Sequence, residues 1–469
     1  MRLALLALAA MFGMPVYSCL LPRELDTRQP QKPHGSLLAR WSPALSAKID
    51  EALSALPWPR HDGTGLPIGK GDRFKNGAVV PRGLGTNDRD LGSILSVHEV
   101  ETGLRGLANH FASVKFFTAP HQTFENRSVY GAVIGDPRVF IQSGIHARER
   151  GGPDNVLYFV SDLLHAQSRG TGVSYGTTSF TNEQVNTALA VGIVIVPMVN
   201  PDGVAYDQAT GRCWRKNRNT TSADNIPSRV GVDINRNFDI NWDYNRVFNS
   251  SAVHHGTASD DPTSQAFHGL SPFSEAETRN VAWVMGRHRS LSWFLDLHSA
   301  LGVTLWGWGD DTSQSADPEQ SFTNRTYDGK RGLVEDTESD YQEYLDRDDV
   351  NDQRSMAQNV TNAMNAAGGV QYITGQSVEL YPVSGGSVDY GLAGYYGHRS
   401  GANRLNGLIV EMGTFGPYIC PFYPTSQGYH GSMRQTAVGM MEFLLNAAGP
   451  SGEIKRWPPA TSSNHTEKT

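Results

Sequence analysis

Four short runs of apolar residues, at 139–141, 191–199, 293–297 and 408–410, recur along the chain with helix-like stretches between them at 153–165 and 275–288. A run that is apolar along nearly all its length, rather than at alternate positions, reads as a strand covered on both faces. In the intervening stretches Val156, Val160, Leu163 and Leu164 fall at helical period, and Ser274 followed by Glu277 has the form of a capping box. A second box, Ser96 with Glu99, opens a helix whose Val100, Leu104, Leu107 and Phe111 share one face, and marks the start of the main domain. Buried strands separated by helices specify an α/β fold, a mixed, mostly parallel central sheet with helices on both faces. In an open sheet of that kind the reactive crevice lies at the carboxyl ends of the strands.

Reactive side chains stand at those ends. The run 139–141 leads to His146 and Glu149, 191–199 to Asn200-Pro201-Asp202-Gly203, 293–297 to His298, and 408–410 to Glu411. His146 and Glu149 are three residues apart and Glu149 falls near the start of a helix, so both are expected on one helical face. Either histidine alone is as readily a loop or core residue. With Glu149 they make a two-His, one-Glu set, three protein ligands that leave the fourth position of a zinc ion open, as catalytic sites require. Glu411 is the candidate base for the proton of an attacking water. A solvent-facing strand end is the alternative, disfavoured because 408–410 buries the neighbourhood, where an unpaired carboxylate is costly.

Taken in order, Gly144-Ile145-His146-Ala147-Arg148-Glu149, Asn200-Pro201-Asp202-Gly203, Trp214-Arg215-Lys216, Gly231-Val232-Asp233-Ile234-Asn235-Arg236-Asn237, His298-Ser299, Tyr381-Pro382-Val383-Ser384-Gly385-Gly386-Ser387 and Glu411 resemble the motifs of the zinc metallocarboxypeptidases of the carboxypeptidase A type, peptidase family M14. The resemblance covers about residues 95–446. It implies that His146, Glu149 and His298 hold one Zn2+ per chain, that Asp233 orients His146 and fixes its tautomer, and that Glu411 is the general base. It also implies that Arg215 stabilises the developing oxyanion, that Asn235 and Arg236 hold a terminal carboxylate, that Arg148 belongs to the substrate-binding set, and that Tyr381 closes over the substrate. Val388 matches the floor of the specificity pocket, where an acidic residue in relatives selects Lys or Arg; an apolar residue implies removal of hydrophobic ends. Gly309 matches a position that is acidic in other basic-specific relatives, and Asp310 and Asp311 beside it weigh against that preference.

The expected activity is zinc-dependent release of C-terminal residues from peptides or proteins with a free C-terminus. The alternatives are a catalytically inactive peptide-binding protein on the same fold and an amidase acting on cell-wall peptides. Two departures from the family pattern stand out. Glu411 is followed by Met412-Gly413 where relatives commonly carry an Arg and an acidic residue, and the interval from His298 to Tyr381 is lengthened by an acidic segment.

Residues 1–18 have one early Arg2, an apolar run and a small residue at Ser18, the pattern of a secretory signal peptide, so a secreted, extracellular protein is expected. Residues 19–94 read as an N-terminal extension or short pro-segment with one helical stripe at 42–56, 95–446 as the catalytic domain, and 447–469 as a disordered tail. Asn126, Asn219, Asn249, Asn324, Asn359 and Asn464 stand in glycosylation sequons. Cys213 and Cys420 either pair or remain buried thiols. With a net charge of -7 no basic field draws in nucleic acid, no membrane span is expected, and the protein is expected to be a monomer. Residues 308–353, with nine carboxylates between Glu335 and Asp352, read as a solvated surface insertion; Asp346, Asp348, Asp349 and Asp352 are a conceivable calcium site.

Overall fold

The computed structural model describes residues 63, 65–86, 91–254, 256–334 and 340–449. The expected signal peptide and the helical stripe at 42–56 lie outside the described residues, as does the tail from 450. The boundary expected at 446 falls within the last helix, Ser426–Ala448.

Eight strands form the central sheet: β1 (Val114–Thr118), β2 (Tyr130–Ile134), β3 (Val139–Ser143), β4 (Ile193–Val196), β5 (Trp293–Ser299), β6 (Val303–Trp306), β7 (Ile373–Gln376) and β8 (Asn406–Met412), in the order β1-β2-β4-β3-β5-β8-β6-β7. Four of the seven adjacent pairings are parallel, β3 with β4, β3 with β5, β5 with β8 and β6 with β7. The four apolar runs are the central strands. The other four strands, short and less uniformly apolar, are not marked by such runs.

Alternation along these strands divides the core into two layers. Ile141, Leu295, Leu297, Leu408 and Val410 pack with the helices α1 (Val97–His110), α2 (Gly152–Arg169) and the terminal helix. Phe140, Val194 and Phe294 face the other way, against Val281 and Val284 of the helix Ala276–Arg287 and Leu392 of the helix Ser387–Tyr396. Each fully buried Leu or Ile contributes about 1.5–3 kcal/mol. This is the expected α/β class, and no helix among the described residues is long and apolar enough to cross a membrane.

The Ser96–Glu99 box forms as its sequence implies: the Ser96 hydroxyl accepts from the Glu99 amide and Glu99 accepts from the Ser96 amide. The one expected at Ser274–Glu277 does not. Glu275 takes the N-cap position, Ser274 donates to Glu275 at 2.7 Å, and Glu277 is buried beside Asn217, where burial and then Glu275 push its carboxyl up to about 8.

The acidic segment departs from expectation in part: Asp310, Asp311, Glu343 and Asp349 are buried, whereas Glu319, Asp340 and Asp348 are exposed as expected. Trp308, Tyr341 and Leu345 are buried, Asp349 accepts from Arg404 and Asn406, and Asp311 accepts from the Gly332 amide. From Arg347 the chain is a helix, Arg347–Ala366, whose Met356, Val360 and Met364 join the core. No calcium cluster forms there: among the described residues the one group with ligand atoms converging as for a metal is His146, Glu149 and His298. Cys213 and Cys420 are joined in a disulfide that ties segments 207 residues apart.

Candidate active site

Gly144 ends β3 with φ +66°, a conformation glycine adopts without strain, and the chain turns sharply into His146. The metal-ligand pair does not share a helical face as expected. His146 and Glu149 occupy the turn before α2, which begins only at Gly152, and the Glu149 amide donates to the His146 carbonyl at 3.3 Å. The turn is pinned from outside by the Ala147 amide, which donates to the Arg215 carbonyl at 3.0 Å.

His298 arrives on β5, where the two-residue period puts Phe294, Asp296 and His298 on one face. In the parallel pairing of β5 with β8, Glu411 stands opposite His298. The ligand atoms converge: His146 Nδ1 lies 2.7 Å from Glu149 Oε1, His298 Nδ1 lies 3.1 Å from Glu149 Oε2, and the two Nδ1 atoms are 3.1 Å apart. Two imidazole nitrogens and a carboxylate turned toward one another, all buried, form a donor set that a cation completes, and its chemistry fits zinc.

Both outer nitrogens face carboxylates. His146 Nε2 faces Asp233 Oδ1 at 3.2 Å, and Asp233 Oδ2 accepts from Arg215 Nη2 at 2.8 Å. His298 Nε2 faces Asp296 Oδ2 at 3.2 Å, and Ser387 donates to that same carboxylate. Asp296 was missed by sequence reasoning; its position two residues before His298 on one strand was the available signal.

Electrostatics follow from burial and pairing. Burial and then Arg215 lower the pKa of His146, which favours the neutral imidazole a metal needs. Burial works against ionisation of Glu149 and Asp233, but the neighbouring imidazoles overcome it for Glu149, and Arg215 overcomes it for Asp233; both stay below the ordinary carboxylate range.

One cavity is lined by His146, His298, Glu411, Arg215, Asn235 and Arg236, and Tyr381 and Val388 line it too. Arg236 Nε and Nη2 donate to the Gly256 carbonyl at 3.0 and 2.9 Å and Nη1 to the Asn235 carbonyl at 2.6 Å; Nη2 lies 3.3 Å from the Tyr381 hydroxyl. None of these partners is a carboxylate, so the guanidinium keeps its charge for an anion. Asn235 is fixed through Oδ1, which accepts from the Ser387 amide at 2.9 Å. Arg148, expected with the substrate-binding set, is not among the cavity-lining residues: it is buried with its guanidinium over the Phe422 ring, 4.4 Å from the centroid.

A buried group of two histidines and a glutamate suited to a metal ion, beside a cavity with a carboxylate and two guanidinium groups at the carboxyl edge of an α/β sheet, defines a metal-binding α/β protein. The sequence profile of the zinc carboxypeptidases matches residues 101–403, and the chain belongs to that family. It is 26% identical over 314 residues to carboxypeptidase A4 of Mus musculus, covering 65% of this chain and 61% of that one. It is 27% identical over 299 residues to carboxypeptidase B of Astacus astacus, covering 62% and 79%. The crystal structure of the carboxypeptidase A from Helicoverpa armigera superposes with a TM-score of 0.55 at 22% identity, covering 76% of this chain and 75% of that one, which establishes a shared fold. The match thus spans less than two thirds of the mouse relative.

Proposed function

We propose that the protein is a secreted, zinc-dependent carboxypeptidase that removes C-terminal, preferentially hydrophobic, residues from peptides. The observation that carries this reading is that His146 and His298 of the metal-ligand group, Glu411 and Arg236 line one cavity, so that a chain end held by the guanidinium lies beside the metal ligands.

In this reading His146, Glu149 and His298 hold the ion, which, when bound, polarises the scissile carbonyl and acidifies water. Arg236 grips the substrate's terminal carboxylate, with Asn235 as a second donor, and the Tyr381 hydroxyl lies close enough to Arg236 to cover the same group. Glu411 takes the proton of the attacking water and passes it to the departing amine. Arg215 lines the cavity with a fixed positive charge, suited to the carbonyl oxygen as negative charge builds there, while Asp233 keeps His146 in the tautomer that leaves Nδ1 for the metal. Val388, Leu305, Leu380, Val383 and Ile409 give the cavity apolar walls, which favours a hydrophobic terminal side chain. Export is supported by the Cys213–Cys420 disulfide, since such bonds persist in oxidising compartments. Of the sequons, Asn126 is exposed and suited to glycosylation, whereas the Asn219 amide is engaged by Glu275 at 3.0 Å.

The test is release of the last residue from blocked dipeptides by the purified protein, with and without a zinc chelator. Chelator-sensitive release that is lost in Glu411→Gln supports the reading. Zinc binding with no release from any peptide would mark a peptide-binding protein instead.

A further inference from the structure

The two metal-ligand histidines are backed by different chemistry. Behind His146, Asp233 is paired with the Arg215 guanidinium; behind His298, Asp296 is paired with the Ser387 hydroxyl. A carboxylate only accepts, so the hydroxyl donates to Asp296 Oδ2, the same oxygen that faces His298 Nε2 at 3.2 Å. Two groups aimed at one buried oxygen fix where it lies. The imidazole is fixed with it: its Nε2 proton points to Asp296, and Nδ1 is left facing Glu149 and His146. Ser387 is also the first residue of the helix Ser387–Tyr396, so Asp296 stands at a helix N-terminus, where a negative charge is favoured.

Ser387 makes a second contact with its backbone. Its amide, one of those a helix cannot pair internally, donates to Asn235 Oδ1 at 2.9 Å. Asn235 is joined in turn to the support of the other histidine, because its own amide donates at 3.1 Å to Asp233 Oδ1, the oxygen that faces His146 Nε2. One run of hydrogen bonds therefore passes from His146 through Asp233, Asn235, Ser387 and Asp296 to His298. Ser387 lines the cavity, yet it is buried and its hydroxyl is committed to Asp296.

We infer that Ser387 is a positioning residue for the metal: its hydroxyl sets Asp296, and through Asp296 sets His298, while its amide holds Asn235. This rests on the reading of His146, Glu149 and His298 as the zinc ligands. Removing a group that stands directly behind a metal ligand weakens affinity roughly 10- to 100-fold; Ser387 acts one step further back, so about tenfold is expected for Ser387→Ala.

The experiment is chelator competition for zinc on the unaltered protein, Ser387→Ala, Asp296→Ala, the double variant and His298→Ala. Affinity should fall about tenfold in Ser387→Ala and further in Asp296→Ala. The double variant should match Asp296→Ala, because a hydroxyl that acts only through the carboxylate has nothing left to act on. The visible absorption of the cobalt-substituted protein should shift in Ser387→Ala in the same sense as in Asp296→Ala, a signature that a purely structural serine would not move. Zinc affinity in Ser387→Ala within about twofold of the unaltered protein overturns the inference. So does a further loss of about tenfold in the double variant, which would show Ser387 acting independently of Asp296. Should Ser387→Ala fail to fold, Ser387→Cys, of similar size but with a weakly donating thiol, is read in its place. Unchanged affinity in His298→Ala would remove the zinc reading of the site; loss there with full affinity in Ser387→Ala removes the inference about Ser387 alone.

Discussion

Replacing Asp233 with asparagine tests whether the metal ligands are held from behind or merely meet. Asp233 is fully buried; it accepts from Arg215 at 2.8 and 3.1 Å, faces His146 Nε2 at 3.2 Å, and accepts from the Asn235 amide at 3.1 Å. Asparagine keeps an acceptor for the imidazole but removes the negative charge nearest the Arg215 guanidinium, whose other carboxylate neighbour, Glu149, lies at 3.9 Å. Removing one member of a buried pair costs about 3–5 kcal/mol, and the retained acceptor places the expected loss near the lower figure. Loss of the charge behind a ligating histidine weakens metal affinity roughly 10- to 100-fold, or about 1.4–2.8 kcal/mol. Urea unfolding of the metal-free protein reads the first quantity, and chelator competition for zinc reads the second. A variant that loses stability but binds zinc within about twofold of the unaltered protein would refute the claim that Asp233 tunes His146, leaving it a partner of Arg215 alone.

Other perturbations address separate parts of the structure. Glu277, buried and pushed up to about 8, binds its proton more tightly folded than unfolded; its contribution is fully present below the unfolded value of about 4.3 and is lost as pH rises through about 8. Glu277→Gln should therefore gain stability relative to the unaltered protein between pH 5 and pH 8, and parallel urea midpoints across that range would contradict the assignment. Reduction of Cys213–Cys420, or Cys420→Ser, should cost about 2–5 kcal/mol by thermal or urea unfolding, because the bridge closes a loop of 207 residues. Gly385 has φ +67° and an added Cβ would meet the Arg236 carbonyl at 2.3 Å, so Gly385→Ala should cost about 1–3 kcal/mol for the backbone conformation alone and raise KM by displacing Arg236. An unchanged KM would show that the loop yields without moving the clamp.

The sequence by itself determined what depends on neighbours along the chain. The largely apolar runs marked the four central strands, the Ser96–Glu99 box marked the start of α1, and the reactive residues at the strand ends, with the ordered motifs around them, marked the family and the His146, Glu149 and His298 group. The sequence misjudged part of the acidic segment, because carboxylates destined for Arg404, Asn406 or a buried amide look the same in a list of residues as carboxylates destined for water, such as Asp340 and Asp348. It misjudged the helical placement of Glu149 for a related reason: the start of α2 is set by a turn anchored to Arg215, 66 residues after Glu149 in number but adjacent in space. Only the tertiary structure decided that Cys213 and Cys420 pair, that Asp296 stands behind His298, and that Arg148 lies over Phe422. Periodicity encodes which face a side chain takes, and that is local; the partner waiting on that face comes from a distant stretch brought there by the packing of the sheet, and no spacing rule carries it.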